Sequence, residues 1–167
     1  MKKFSEEVFF PDQEIIRVDR SVINDLEKQA LVAKRNRSRL CTHRKISESL
    51  HEMLIIHPKH TYVRPHKHLG KPESFHIITG TLKVIIFDEE GNIKEIIPMG
   101  NYESGQNFYY RISDPLYHTV IITSEIAVFH ETTSGPFKKS DTIFAPWSPE
   151  EQDFTGVKMF LERFTDC

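Results

Sequence analysis

Two histidines and a glutamate stand at a spacing that suits a metal ion. Tyr62 to Gly80 reads YVRPHKHLGKPESFHIITG, with His66 and His68 two residues apart. On a strand, residues two apart project from one face with Cα atoms roughly 6.6 Å apart, so both imidazoles reach one ion at about 2.0–2.1 Å from each nitrogen. Glu73 follows a Leu-Gly-Lys-Pro turn that can bring the chain back alongside. Its carboxylate would add the anionic oxygen that a hard or borderline divalent cation favours. In a chain with nine histidines a lone HxH pair is an ordinary coincidence. The further requirement of Glu five and Gly twelve residues after His68 is not, and it sets metal binding above scattered surface histidines.

If this strand stays regular through Pro65, Tyr62 and Arg64 share the parity of His66 and His68 and face the same interior. An inward arginine beside a metal is costly unless it meets an anion. Arg64 then either joins Tyr62 in binding an acidic or hydroxylated ligand or pairs with an internal carboxylate such as Glu131. A guanidinium holds a carboxylate through two parallel hydrogen bonds, so the first choice implies small carboxylates or sugar acids at the metal. Tyr62 and Glu131 are the candidates for moving a proton. His76 has parity opposite to Glu73, an outer position. His51 alternates with Met53 and Ile55 and can line the cavity, while Leu50, Leu54 and Ile56 offer a competing inward face. Of the adjacent His130 and Glu131, only one can point inward. His43, His57 and His60 read as loop or surface residues.

The elements that must position these residues are mostly short strands. Asp19 or Ser21 can cap a helix to about Asn36, with Val22, Ile23, Leu26, Ala30 and Ala33 at helical spacing. The basic cluster Lys34, Arg35, Arg37 and Arg39 after it reads as a solvated helix end, with phosphate binding as the alternative. From Leu50 onward, runs rich in β-branched and aromatic residues predict strands near 50–56, 61–66, 74–79, 81–87, 93–97, 107–112, 118–123 and 126–132. Turn chemistry separates them: DEEGN at 88–92, Met99 and Gly100 after a strand-ending Pro98, a corner at 113–115 and a short link at 123–125. Eight short strands in so little chain predict a closed barrel or jelly roll, since closure removes exposed edges. After Ser134 the tail carries GPF and APW segments and a short helix opened by Ser148, Pro149 and Glu150, its aromatics packing on the barrel or covering one end. The expected organisation is one domain: an N-terminal extension and helix over 1–45, a barrel over 46–133 and a packing tail over 134–167.

Composition narrows the function classes. Lys plus Arg number 22 against 24 Asp plus Glu, for a formal net charge of -2, so nothing electrostatic favours nucleic acid or an anionic membrane as a partner. Cys41 and Cys167 form neither a CxxC pair nor a disulfide framework, which fits reduced thiols in a cytoplasm. Ser5, Glu6 and Glu7 interrupt the apolar opening before it could form a signal-peptide core, and no segment has the length of a membrane span.

The spacing HxH, four residues, Glu, six residues, Gly resembles the first motif of the cupins, with Gly80 as its turn glycine and His60 where a leading glycine usually stands. ISDPLYHTVII at 112–122 resembles the second motif, without its PxG glycine and with Ile122 in place of the terminal Asn. The resemblance implies a mainly β, cupin-type double-stranded β-helix, a jelly-roll barrel with an N-terminal helix. It supplies His118 as a third imidazole, completing a set of His66, His68, Glu73 and His118, and it turns Glu131 inward rather than His130. More narrowly, RSRLCTH at 37–43, YVRPHKHLGKPESFH at 62–76 and the HET, GPF and APWSPEE segments are similar to the WbuC family of cupin-fold metalloproteins. That likeness spans roughly residues 15–155 and implies a place in surface-polysaccharide (O-antigen) metabolism and a homodimer.

Three imidazoles and one carboxylate leave one or two coordination positions open. With no thiolate nearby, Zn, Fe, Mn, Ni and Co are all admissible. Three functions follow. The metal can polarise a carbonyl or hydroxyl of a sugar-like substrate for isomerase or epimerase chemistry. It can serve as iron in an oxygenase. It can also hold a small acid, or brace the barrel, without catalysis. The sequence leaves open whether the chain is an enzyme.

Overall fold

The computed structural model describes residues 1–164, so Cys167 lies outside the described residues. Strands β1 (Lys2–Lys3) and β2 (Val8–Phe10) precede helix α1 (Arg20–Val32) and β3 (Ser38–Cys41). Asp19 caps α1, its Oδ1 accepting from the Ser21 and Val22 amides at 2.9 and 3.1 Å. Leu26 and Ala30, one turn apart, are wholly buried. They pack with Leu40, Leu54, Ile56 and Val128 on the outside of a sheet. The helix stops at Val32 rather than running to Asn36, which takes φ 48°.

The barrel strands are β4 (Leu50–Pro58), β5 (His66–His68), β6 (Glu73–Thr79), β7 (Thr81–Phe87), β8 (Ile93–Gly100), β9 (Tyr109–Ile112), β10 (Tyr117–Ile122), β11 (Ile126–Ser134) and β12 (Thr142–Phe144). One sheet runs β1-β2-β3-β4-β11-β6-β9 and the other β12-β5-β10-β7-β8. From β4 to β12 the chain changes sheet at every connection except the β7–β8 hairpin. That alternation makes two facing sheets wound as one double-stranded β-helix, the cupin-type jelly roll. Gly80 makes the β6–β7 turn at φ 80°, where a Cβ would lie 2.2 Å from the Ile126 carbonyl oxygen. The turn glycine is therefore fixed both by backbone conformation and by close approach.

The interior is filled from both sheets, by Met53, Ile55, Phe75, Ile77 and Phe129 on one side and Leu82, Val84, Ile86, Val120 and Ile122 on the other. Helix α2 (Phe154–Glu162) covers the outer face of the smaller sheet, where Phe160 and Phe164 meet Tyr62, Ile85, Phe87 and Tyr117. This helix begins at Phe154, capped by Asp153, and not at Ser148–Glu150. β8 continues through Pro98, which an edge strand tolerates because its missing N–H faces solvent. β1, β2, β3 and β12 are additional to the eight expected strands. Each is four residues or fewer and docks on a strand already in place, so alternation within it is too short to read. Among the described residues no helix is long and apolar enough to cross a membrane.

Candidate metal centre

Strand register brings the ligand candidates together. In the smaller sheet His118 lies directly opposite His66 on one side and Ile86 on the other, and Ile86 faces Glu95 on β8. Residues directly opposite share a face, so this rung points inward with Ile86. In the larger sheet Glu73 pairs with Thr133, and Thr133 with His51. The next rung reads Met53, Glu131, Phe75, Tyr110. Phe75 and Phe129 belong to the interior, which places Glu131 and Tyr110 there too.

The rings of His66, His68 and His118 have centroids 4.7–5.7 Å apart. One nitrogen from each lies within 4.8 Å of the others, a grouping compatible with one divalent ion. Glu73 joins them, with Oε1 2.8 Å from His118 Nε2 and Oε2 3.2 Å from His68 Nε2. The other imidazole nitrogens are engaged by the backbone. His66 Nδ1 lies 2.8 Å from the Arg64 carbonyl oxygen, and His118 Nδ1 lies 2.9 Å from that of Leu116. A carbonyl oxygen only accepts, so each Nδ1 carries the proton and the neutral ring leaves Nε2 as a bare lone pair. Such an outer hydrogen bond fixes the tautomer that presents Nε2 to a metal.

The contact between His118 Nε2 and Glu73 Oε1 then sets two acceptors 2.8 Å apart. Both atoms are sealed from solvent and neither makes a hydrogen bond of acceptable geometry. A buried acceptor pair is stable only with a cation or a proton between its members. In the metal-free chain the proton supplies this. Burial lowers the affinity of His118 for it, but the Glu73 charge 2.8 Å away outweighs burial and leaves the His118 pKa raised. Glu73 is correspondingly held below the ordinary carboxylate range, because the charge of the adjacent His118 overcomes the opposing effect of burial. For His66, burial and the neighbouring His118 charge outweigh the opposing Glu73 charge and drive the pKa down to about 3, so it stays neutral and available as a ligand. The donor set therefore fits a divalent cation.

Glu131 stands beside this group without joining it. Burial, and then the Glu73 charge, push its pKa up to about 8. Tyr110 has a buried hydroxyl with no protein partner, and burial with the nearby Glu73 charge pushes its pKa up. Tyr110 escapes a sequence reading because Tyr109, Tyr110 and Arg111 all suit a strand, and only pairing with β6 shows which of them turns inward.

Tyr62 and Arg64 are elsewhere. Residues 61–65 form no strand, and Pro65 breaks the assumed parity, so Val63 contacts the interior core while Tyr62 joins the outer core under α2. The Tyr62 hydroxyl donates to the Pro149 carbonyl oxygen at 2.8 Å. Arg64 reaches the tail, where Nε donates to Ser148 Oγ at 3.1 Å, Nη1 lies 3.8 Å from Glu150 and the guanidinium sits 5.0 Å from the Phe144 ring centre. Neither side chain is turned toward the three histidines as the strand parity predicted, and Arg64 pairs with Glu150 rather than Glu131. His43 and His57 are buried rather than at the surface. His57 lies on the inward face of β4 against Phe129, and His43 stacks on His51 at 3.9 Å. His51 faces inward with Met53. His76 and His130 are opposite each other on the outer face, as β6 parity requires. Of the basic cluster, Arg35 and Arg37 are held by Glu7 and Glu151 rather than by solvent or phosphate.

The family described as a domain of unknown function (DUF6016) matches residues 18–99, which include His66, His68 and Glu73. No curated protein matches the chain. Among solved structures, protein SO0799 from Shewanella oneidensis is similar with a TM-score of 0.50 and 10% identity, over 62% of this chain and 66% of that one. The cupin domain of Schizosaccharomyces pombe Cnp3 overlays with a TM-score of 0.47 and 12% identity, over 60% of this chain and 66% of that one. A variant of Bacillus subtilis oxalate decarboxylase OxdC gives a TM-score of 0.47 and 25% identity, over 59% of this chain and 25% of that one. The likeness to SO0799 concerns the fold alone.

Proposed function

We propose that the chain is a WbuC-like metalloprotein that holds one divalent transition ion through His66, His68, Glu73 and His118 and acts on a sugar-like substrate of surface-polysaccharide metabolism. The observation that carries the metal reading is the convergence of one nitrogen each from His66, His68 and His118 within 4.8 Å, beside a Glu73 oxygen 2.8 Å from His118 Nε2. The WbuC reading rests on the RPHKH, HET, GPF and APWSPEE segments.

A bound ion of this kind polarises a carbonyl or hydroxyl oxygen. The chain supplies the rest. Glu131, with a pKa near neutrality, is poised to take a proton from a carbon or hydroxyl and return it, the property isomerase or epimerase chemistry needs. The Tyr110 hydroxyl, buried and unpartnered, is the donor available to a substrate oxygen. The apolar walls from Phe75, Ile86 and Ile112 keep bulk water from the reacting atoms. A two-fold homodimer through the N-terminal edge of the larger sheet and a cytoplasmic location belong to the same proposal. A free, buried Cys41 is consistent with that location. The test is metal-loaded protein incubated with nucleotide sugars in deuterated water. Deuterium at a sugar carbon in wild type and its loss in Glu131→Gln support the reading. Oxygen uptake with Fe(II) instead points to an oxygenase, and saturable binding without turnover points to a non-catalytic module.

A further inference from the structure

Among the described residues, the lysines and arginines near the centre are paired outside it or exposed, while Glu73 and Glu131 are turned in. Arg64 is held by Ser148 and Glu150 on the tail. Lys67 pairs with Glu89 at 2.6 Å and lies 4.4 Å from the Tyr117 ring centre, on the outer face of β5. Lys71 pairs with Asp141 at 3.0 Å. Arg111 alternates with the inward Tyr110 and Ile112 and is exposed on the outer face of β9. Arg39 has the inward parity of its partner Ile55 and its charge partly opposes the rise in the Glu131 pKa, but β3 lies beyond β4, where Arg39 is exposed. Glu131, by contrast, stands on the interior rung between Met53 and Phe75. Glu95 shares the inward parity of Ile97 and Met99, directly across from Ile86, but is exposed on the edge strand β8. Glu73 itself cancels one charge of a bound dication.

We infer that the ligand group reaching the metal is uncharged, a hydroxy-carbonyl or vicinal hydroxyl pair rather than a carboxylate or phosphate, and that Glu131 is the residue that selects against anions. This rests on the metal reading above and names the substrate class of the same site. A dication with Glu73 retains one positive charge, which draws the proton off Glu131 against the burial that favours it and which the ionised Glu131 then offsets in the poorly screened interior. An incoming carboxylate would find its nearest inward-parity guanidinium, Arg39, exposed beyond β4 and would lie beside a second carboxylate, an arrangement that costs affinity. A neutral sugar oxygen meets no such penalty and has the Tyr110 hydroxyl as a donor.

The test uses the full chain loaded with Co(II), whose visible absorption reports ligands entering the metal's shell, at a pH above the Glu131 pKa of about 8 so that its carboxylate is ionised. Malonate is the anionic probe and dihydroxyacetone the neutral one. Removing the charge in Glu131→Gln is expected to tighten malonate on the order of tenfold while dihydroxyacetone gains nothing. Glu131→Thr, smaller and suited to a strand, reports the same loss of charge should the amide variant fail to fold. Malonate affinity within about twofold of wild type in the folded variants overturns the inference, since one nearby unit charge is worth more than that. Cobalt content is measured first. A chain that holds no cobalt overturns the metal reading and this inference with it, whereas a loaded chain with unchanged malonate affinity overturns the inference alone.

Discussion

At the scale of single residues, the centre couples metal to protons. His118 is raised in the metal-free chain because Glu73 outweighs burial, so the stability from its proton is present at low pH and is lost as pH rises through the raised value. Glu131, raised from 4.5 to about 8, works in the same direction, since burial favours its protonated form and that advantage disappears as pH climbs through the window. Glu73, held low, contributes above its ordinary range and is lost only in strong acid. Metal-free protein should therefore melt progressively lower between about pH 5 and pH 8, while the rise in Tm on adding Zn(II) should grow over the same interval. Calorimetry with and without metal checks this, and a metal-induced shift independent of pH would contradict it. The HxH pair and Glu73 were legible in the sequence because both spacings are local. Arg64 and Tyr62 were misread because their placement hangs on one residue: Pro65 interrupts the alternation and the tail captures both side chains. Arg64→Lys should accordingly leave the metal centre unchanged and cost only its tail contacts, about 1 kcal/mol or less by denaturant titration.

At the scale of elements, positions depend on packing partners, and the strands that read well are those with long alternation. β7 was predicted to the residue, while β12 and the N-terminal strands were invisible because pairing rather than pattern makes them strands. Helix α1 was legible from its cap and its apolar spacing. Asp19→Ala should lower stability by about 1 kcal/mol through two lost amide acceptances. Leu26→Ala should cost roughly 2–5 kcal/mol, because Leu26 is wholly enclosed between the helix and the sheet. Both are read from urea denaturation, and neither should change the metal content of the folded protein, since α1 packs on the face opposite the centre. His57 was misplaced at the surface for a related reason. Its burial drives its pKa down to about 3 and keeps it neutral, so it behaves as a core side chain and not as a proton carrier.

At the scale of the whole molecule, two sheets face each other so that three histidines from one and a glutamate from the other meet at a single point. No segment shorter than residues 66–118 contains the set, which is why His118 was legible only through resemblance to known motifs. The inner lining departs from expectation in one respect, on which the inferred ligand class rests: Glu131 is turned in, while Arg64 is held by the tail outside. The most direct test of the metal centre is elemental analysis of protein purified without added metal, together with the same measurement on variants refilled with Zn(II). Wild type and His60→Ala should each hold about one divalent ion per chain, while the His66→Ala/His68→Ala double variant and His118→Ala should fall far below that. Full occupancy in the double variant, with the fold intact by circular dichroism, would contradict the assignment.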